Sequence, residues 1–195
     1  VYGPLGHSHT AVDDFALFYP LSDMTILAPS DAHEMESLMK QTKNFPGPVY
    51  IRLGKGGDKV VTKDFKPLIG KALFFDHGGK GKKLICTTGI MLQRALEISS
   101  SIPNCDVLHF STVQPIDRKA LIDKAQEYKE IIVLEEHLKN GGLGTRIIDE
   151  LFRENIRPEK FKHYHLGENY IKTYGRQEEI FDQLKISPEH IIKSL

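Results

Sequence analysis

The chain has 195 residues, of which 40% are hydrophobic and 27% charged, an ordinary balance for a globular protein with a sizeable core. Its 26 basic residues match its 26 acidic residues, so no overall field favours nucleic acid or an anionic membrane as a partner. No apolar stretch approaches the roughly 18 residues of a membrane span. Cys86 and Cys105 lack CxxC spacing and are interpreted as reduced, buried thiols of a cytoplasmic protein.

The first 55 residues predict a small unit of alternating helices and strands. Short runs of Ile, Leu and Val indicate buried strands, and the acidic and hydroxyl residues before apolar periodic stretches indicate helix caps. In chain order we predict a loop over 1–9, a helix over 10–19, a strand over 24–28, a helix capped by Ser30 and Asp31, and a strand over 48–53.

The stretch from Gly54 to Pro67 changes character, because glycine and lysine dominate it. Such composition is typical of a linker between domains. We therefore predict a first domain over 1–55, a linker over 56–67 and a second domain over 68–195. Because the chain begins at Val1, without methionine and inside a predicted loop, we expect it to be part of a longer polypeptide.

The second domain predicts a further series of strands and helices. Its strands fall at 71–75, 83–87, 106–110, 131–134 and 161–165, and the first two are interpreted as a hairpin around the turn 77–82. Its helices fall at 90–99, 117–128, 145–152, 177–184 and 188–195. Alternation of this kind indicates an α/β fold with mostly parallel sheets in a three-layer α/β/α arrangement.

Residues 131–151, IIVLEEHLKNGGLGTRIIDEL, contain the most distinctive pattern. A buried strand ends at Glu135, Glu136 and His137, and a glycine turn leads into a helix. The sequence pattern EEH…GGLG resembles that of the C-terminal domain of transketolase-like enzymes. GENYIKTYGRQEEIFDQLKISPEHII resembles later parts of the same domain.

The first domain extends this resemblance over the whole chain. GPLGHSHTAVDDFALFYPLSDMTILAPSDAHE and GPVYIRLGKG resemble the end of the pyrimidine-binding domain of these enzymes. The expected architecture is thus a partial pyrimidine-binding domain followed by a transketolase C-terminal domain.

The resemblance implies thiamine diphosphate and Mg²⁺ as cofactors, bound mainly by residues outside this chain. The family's activating glutamate and aromatic pocket lie upstream of Val1, and its GDG…N motif for diphosphate and magnesium is absent from the sequence. We therefore assign no cofactor-binding or metal-binding residue here and expect the chain to be inactive alone. The expected partner is an N-terminal transketolase half or second subunit, in a homodimer or a heterotetramer.

The histidine loop supplies the catalytic candidates. Histidine suits proton transfer at the carbonyl oxygen of a ketol donor because it titrates near neutrality. Alignment to transketolase selects His9, whereas alignment to the beta subunits of 2-oxo-acid dehydrogenases selects His7, so both stay open.

Lys55 and Arg52 are the predicted substrate-binding residues. The family places an arginine at the Lys55 position, where it contacts the sugar phosphate, and a lysine keeps the charge but not the bidentate fork. Tyr2 stands where transketolase has an aspartate. Glu135, Glu136 and His137 are interpreted as structural or interface residues, and the pair His163 and His165 is a weaker metal candidate.

These features predict part of a transketolase that moves a two-carbon ketol unit between sugar phosphates in the pentose phosphate pathway. The first alternative is a relative that uses a 2-oxo acid, either similar to deoxyxylulose-phosphate synthase or to the beta chain of a dehydrogenase. A non-catalytic dimerisation module is the other alternative.

Overall fold

A computed structural model describes residues 3–79 and 81–195, which form two β-sheets flanked by helices. Tyr2 lies outside the described residues, as does the side chain of His7. Two short 3₁₀ turns, Gly3–Leu5 and His7–His9, open the described chain. Across the described parts, no helix is both long enough and apolar enough to cross a membrane.

The first sheet has three strands in the order β2-β1-β6. β1 (Thr25–Leu27) runs parallel to β2 (Val49–Ile51), as its place in a βαβ unit requires. β6 (Thr112–Gln114) pairs antiparallel with β1, although the chain reaches it only after the predicted linker. This strand was not predicted from the sequence, and it adds Val113 to the core around Phe15 and Ile26.

The second sheet has five strands in the order β3-β5-β4-β7-β8. These are β3 (Leu73–Phe75), β4 (Lys83–Thr87), β5 (Cys105–His109), β7 (Glu130–Leu134) and β8 (Lys160–Tyr164). All neighbours run parallel except β3, which is antiparallel to β5. The predicted hairpin is therefore wrong, because β5 lies between β3 and β4.

Helices cover both faces of the second sheet, which confirms the predicted α/β class. Side chains on its strands alternate between two cores, for example Leu84 in one and Ile85 in the other. One core packs against α4 (Arg118–Ala125) and α5 (Leu143–Arg153). The other packs against α3 (Met91–Ser101), α6 (Gln177–Gln183) and α7 (Pro188–Ser194). The remaining helices, α1 (Asp14–Phe18) and α2 (Ala32–Thr42), precede and follow β1.

Local hydrogen bonds explain where several helices begin. The Asp31 carboxylate accepts from the Glu34 amide at the start of α2, and that of Asp117 accepts from the Ala120 amide at the start of α4. Both caps satisfy amides that a helix leaves unpaired at its first turn. At α7, Ser187 is the N-cap residue before Pro188, yet its side chain makes no capping hydrogen bond.

A buried pair of polar side chains joins helix α2 to the second sheet. The Glu34 carboxylate on α2 lies 3.0 Å from Nε2 of His109 at the end of β5, and both side chains are fully buried. Glu34 also accepts from the amide and hydroxyl of Ser30. Burial alone would raise the pKa of Glu34, but the charge of His109 and these hydrogen bonds hold it below its usual value.

Candidate active site

The candidate site is an open cavity of about 390 Å³ where several strands end. Its wall includes Arg52 after β2, Thr88 after β4 and Glu136 after β7. Because parallel strands present their carboxyl ends at one edge, this is the usual position for sites in α/β proteins. The other polar lining residues are His9, Thr10, Lys55 and Gln177.

His9 is exposed at the cavity, in the turn that precedes α1. Its amide donates to the Gly6 carbonyl, and Nδ1 lies 3.0 Å from the Ser8 hydroxyl. The turn packs closely against the C-terminal loop. A Cβ at Gly6 would lie 2.6 Å from the Tyr174 ring, and Gly6 also has a φ of +75°, so glycine is required there.

Lys55 is exposed in the turn after β2 and lines the same cavity as His9. The neighbouring stretch Thr88–Ile90 leads into α3, and no side chain caps that helix start. Uncapped first-turn amides carry the positive end of the helix dipole. The lysine and the residues that lead into α3 thus line the same part of the cavity.

Arg52 also lines the cavity, but its guanidinium is strongly engaged within the protein. Nε and Nη2 both donate to the Asp14 carboxylate, while Nη1 donates to the Glu136 carbonyl at 2.8 Å. The group also stacks 3.6 Å above the Phe15 ring. Burial alone would raise the pKa of Asp14, but the hydrogen bonds and charge of Arg52 hold it below its usual value. These contacts connect the first sheet to the end of β7.

Glu135 follows β7 and is fully buried, and its carboxylate lies at the start of α5 rather than in the cavity. Its carboxylate accepts from the Leu143 amide at 2.6 Å, the Gly144 amide at 2.9 Å, and Nε2 of His163 at 2.6 Å. Burial alone would raise the pKa of Glu135, but hydrogen bonding and charge from His163 hold it below its usual value. The side chain therefore caps a helix inside the protein.

The GGLG stretch makes room for this buried cap. A Cβ at Gly142 would lie 2.2 Å from a Glu135 oxygen, and one at Gly144 would lie 2.4 Å from the His163 ring. A Cβ at Gly141 would lie 2.3 Å from the Cβ of Ala16 on α1. Close packing therefore explains these glycines.

Glu136 points the other way, toward the cavity, although it is only 8% exposed. Its Oε1 accepts from Nε2 of Gln177 at 2.8 Å, and Oε1 of Gln177 accepts from Arg94 at 2.9 Å. Gln177 was not predicted as a site residue from the sequence. The only signal available was its place after the glycine of the YGRQ motif at the start of a helix.

The remaining histidines of these motifs make internal contacts. His137 is buried, stacks on Phe15 and donates from Nδ1 to the Leu138 carbonyl, and burial lowers its pKa. His163 and His165 meet edge to face, with ring centroids 4.7 Å apart. Among the described residues, no group of three or more His, Cys, Asp or Glu side chains is arranged to hold a metal ion. Cys86 and Cys105 are free and buried, as predicted, and burial raises the pKa of Cys105 to about 12.

Three curated relatives cover essentially the whole chain. The uncharacterized transketolase family protein y4mN of Sinorhizobium fredii is 30% identical over 100% of this chain and 56% of its own length. A subunit of the apulose-4-phosphate transketolase of Phocaeicola vulgatus is 30% identical over 99% of this chain and 62% of its own. The 1-deoxy-D-xylulose-5-phosphate synthase of Fusobacterium nucleatum is 28% identical over 100% of this chain and 33% of its own. The chain thus spans between one third and two thirds of these relatives.

A solved structure and a family model agree with these sequence matches. The structure described as a split gene transketolase, inactive beta4 tetramer, superposes with a TM-score of 0.81 at 26% identity. That match covers 96% of this chain and 61% of the other. Residues 78–191 match the model of the family "Transketolase, C-terminal domain". The chain therefore belongs to the transketolase family and carries its C-terminal section.

Proposed function

We propose that this chain is the C-terminal part of a thiamine-diphosphate-dependent transketolase that transfers a two-carbon ketol unit between sugar phosphates. The observation that carries the proposal is the shared cavity of His9 and Lys55. A proton-transferring imidazole and a phosphate-binding ammonium group are the two functions that such a substrate requires from this side.

Each of the two residues has a defined task. His9 exchanges a proton with the carbonyl or hydroxyl oxygen of the sugar at the reacting end, and His7 in the same turn is the alternative. Lys55 neutralises the substrate phosphate, assisted by the amides at the start of α3. Arg52 is close enough to the cavity to contact the substrate. Its hydrogen bonds to Asp14 and to the Glu136 carbonyl, however, favour a role in fixing the cavity wall.

The cofactor is expected to sit mainly on the partner. Bound thiamine diphosphate supplies a nucleophilic thiazolium carbon, and magnesium holds its diphosphate. In the described part of this chain, no cluster of metal-ligating side chains would hold that ion. The cavity residues instead suit the sugar phosphate, so the cofactor pocket is proposed to be completed by an N-terminal half or a second subunit.

The relatives support an assembled enzyme. One is named as a subunit of a transketolase, and the split-gene structure is titled an inactive beta4 tetramer. These descriptions support a chain that works together with partner subunits, and we propose that this section contributes one wall of the site.

A second candidate function is favoured by the synthase relatives. The Fusobacterium nucleatum 1-deoxy-D-xylulose-5-phosphate synthase matches the whole chain at nearly the same identity as the transketolases. On that hypothesis the donor is a 2-oxo acid, while Lys55 still binds the phosphate of the acceptor.

Donor preference in the native assembly tests the proposal. With thiamine diphosphate and magnesium supplied, we expect transfer from xylulose 5-phosphate to ribose 5-phosphate and none from pyruvate. Transfer from pyruvate alone would establish the second candidate, and no transfer from pyruvate or from any sugar phosphate donor would reject both.

Paired histidine variants then test the site. We expect the catalytic histidine to be His9, so His9→Asn should lower kcat about 10²–10⁴-fold, the usual contribution of general acid–base catalysis. His7→Asn should have a smaller effect, and the reverse order would assign the role to His7. His190→Asn is the matched control, because His190 is on α7 and does not line the cavity.

A further inference from the structure

The Asp31 carboxylate binds more groups than a helix cap requires. Its Oδ1 accepts from the Glu34 amide, and this bond alone caps α2. Its Oδ2 also accepts from the amides of Val61 and Thr62, at 2.7 and 2.9 Å, and Oδ1 accepts from the Thr62 hydroxyl at 2.8 Å. Burial alone would raise the pKa of Asp31, but these hydrogen bonds hold it below its usual value. The bonds to Val61 and Thr62 therefore have a purpose beyond helix capping.

These bonds fix one end of a loop that carries Lys55. The loop covers residues 53–60 and is called the Lys55 loop below. Immediately before it, the Arg52 amide donates to the Leu27 carbonyl of β1 at 2.8 Å. Immediately after it come the two amides that Asp31 binds. The Lys55 loop thus borders the cavity between two fixed points, one on each side.

The sequence of the Lys55 loop leaves its position to these fixed points. Glycines stand on both sides of the lysine, and a Cβ at Gly56 or Gly57 would meet nothing within 4 Å. Such residues restrict the backbone little, so the ends of the loop decide where its middle lies. One further contact supports the C-terminal end, where Nε2 of Gln93 on α3 donates to the Lys59 carbonyl at 3.0 Å.

We propose that Asp31 is a positioning residue for Lys55, which holds the Lys55 loop at the cavity through its bonds to Val61 and Thr62. The inference rests on the proposed function, because it takes Lys55 as the group that binds the substrate phosphate. A loop that is fixed beforehand loses less conformational freedom when its lysine binds a ligand, so the affinity is higher. Asp31 itself does not line the cavity and acts only through the loop.

A single substitution separates the helix cap from the loop contact. Asp31→Ser keeps an oxygen for the Glu34 amide, because serine is also a good N-cap residue, but it lacks the second oxygen that binds the loop. Asp117→Ser is the matched control. Asp117 caps α4 and also accepts from the distant Ala72 amide, and neither residue lines the cavity. Both variants should lose stability, and only Asp31→Ser should weaken phosphate binding.

Isothermal titration of ribitol 5-phosphate into the native assembly measures phosphate binding without any ketol transfer. Asp31→Ser should raise the Kd about two- to tenfold, because binding must then immobilise a looser loop. In a Lys55→Gln background the same substitution should change the Kd by less than about twofold, since effects that act through one group are not additive. Asp117→Ser should leave the Kd unchanged in both backgrounds.

The Thr62 hydroxyl provides a milder test that leaves the Asp31 side chain in place. Thr62→Val removes the hydroxyl and keeps both loop amides and the helix cap, so the Kd should rise less than in Asp31→Ser. Thr62→Ser restores a hydroxyl at this position and should return the Kd to the parent value. Circular dichroism confirms that each variant is folded under the titration conditions.

Each outcome has a definite meaning. An equal rise in Kd for Asp31→Ser in the parent and in the Lys55→Gln background overturns the inference, because the effect would not pass through Lys55. An unchanged Kd in both Asp31→Ser and Thr62→Val also overturns it. These results leave the proposed function intact if Lys55→Gln alone weakens binding. If Lys55→Gln alone leaves the Kd unchanged, the proposed role of Lys55 fails together with the inference.

Discussion

Glu135 and Glu136 are neighbours at the end of one strand, yet they lie in two very different regions. Glu135 is enclosed by the start of α5 and by His163, and its carboxylate caps the helix from within the protein. Glu136 lines the open cavity that also contains His9 and Lys55. Both residues follow the last residue of β7, where the chain bends, and their side chains reach different environments.

Most of the chain's most distinctive motif lies outside the proposed site. The glycines of GGLG accommodate the Glu135 carboxylate and the His163 ring, so most of the pattern serves packing. The proposed site residues, His9 and Lys55, lie in a histidine loop and a glycine turn. A conspicuous motif therefore identifies the family here more than it identifies the site.

Removing the buried Glu135 carboxylate should have the largest effect on the free energy of unfolding. Glu135→Ala leaves two helix amides and the His163 imidazole without an acceptor, and we expect the free energy of unfolding to fall by about 3–5 kcal/mol. Urea unfolding monitored by circular dichroism measures it. Glu136→Gln should cost far less, and similar losses for the two variants would contradict the division between the regions.

Removing the positive charge of Lys55 in the cavity should weaken substrate binding and leave the stability of the protein unchanged. Lys55→Gln loses one charge-assisted bond to phosphate, so KM for the sugar phosphate should rise about 10–100-fold. Steady-state kinetics of the native assembly measure it. Lys59→Gln is the control, because Lys59 is exposed nearby but does not line the cavity. An equal change in both variants would indicate a general charge effect.

A single methyl group should test the packing explanation for the glycines. Gly144→Ala places a carbon 2.4 Å from the His163 ring, and the expected loss of stability is about 1–3 kcal/mol. Thermal and urea unfolding measure it. Gly167→Ala reports backbone strain alone, since Gly167 has a φ of +101° and open space around it. A Gly144→Ala protein as stable as the parent would refute the steric argument.

Mild acid should lower the free energy of unfolding through His137, and this is the smallest of the expected effects. Burial lowers the pKa of His137 below its ordinary 6.5, so the unfolded chain takes up the proton first. The free energy of unfolding should therefore fall as pH drops below 6.5, by at most about 1.4 kcal/mol per pH unit from this group. Urea unfolding at pH 7.5, 6.5 and 5.5 should show a smaller decrease for His137→Asn than for the parent. Equal decreases would exclude His137 as a source.

Local signals in the sequence predicted most of the helices and strands. Asp31 and Asp117 identified helix starts because a cap depends on residues three apart in the chain. The alternating strands also identified the three-layer arrangement. These features need no knowledge of distant contacts.

Non-local pairing explains what the sequence did not predict. Strand β6 has only three residues and becomes a strand through its pairing with β1, about 85 residues earlier. The turn 77–82 suits a hairpin locally, but β5 pairs with both β3 and β4 and separates them. Glu136 could not be distinguished from Glu135, since their partners Gln177 and His163 are remote in sequence. The predicted domain boundaries, and the choice between His7 and His9, stay predictions.

The most direct test of the central claim is a structure of the native assembly with thiamine diphosphate, magnesium and a bound sugar phosphate. The account predicts that the phosphate lies within hydrogen-bond reach of Lys55 Nζ, and that the His9 or His7 imidazole contacts an oxygen at the reacting end. A phosphate bound elsewhere, with neither imidazole near the substrate, would contradict it.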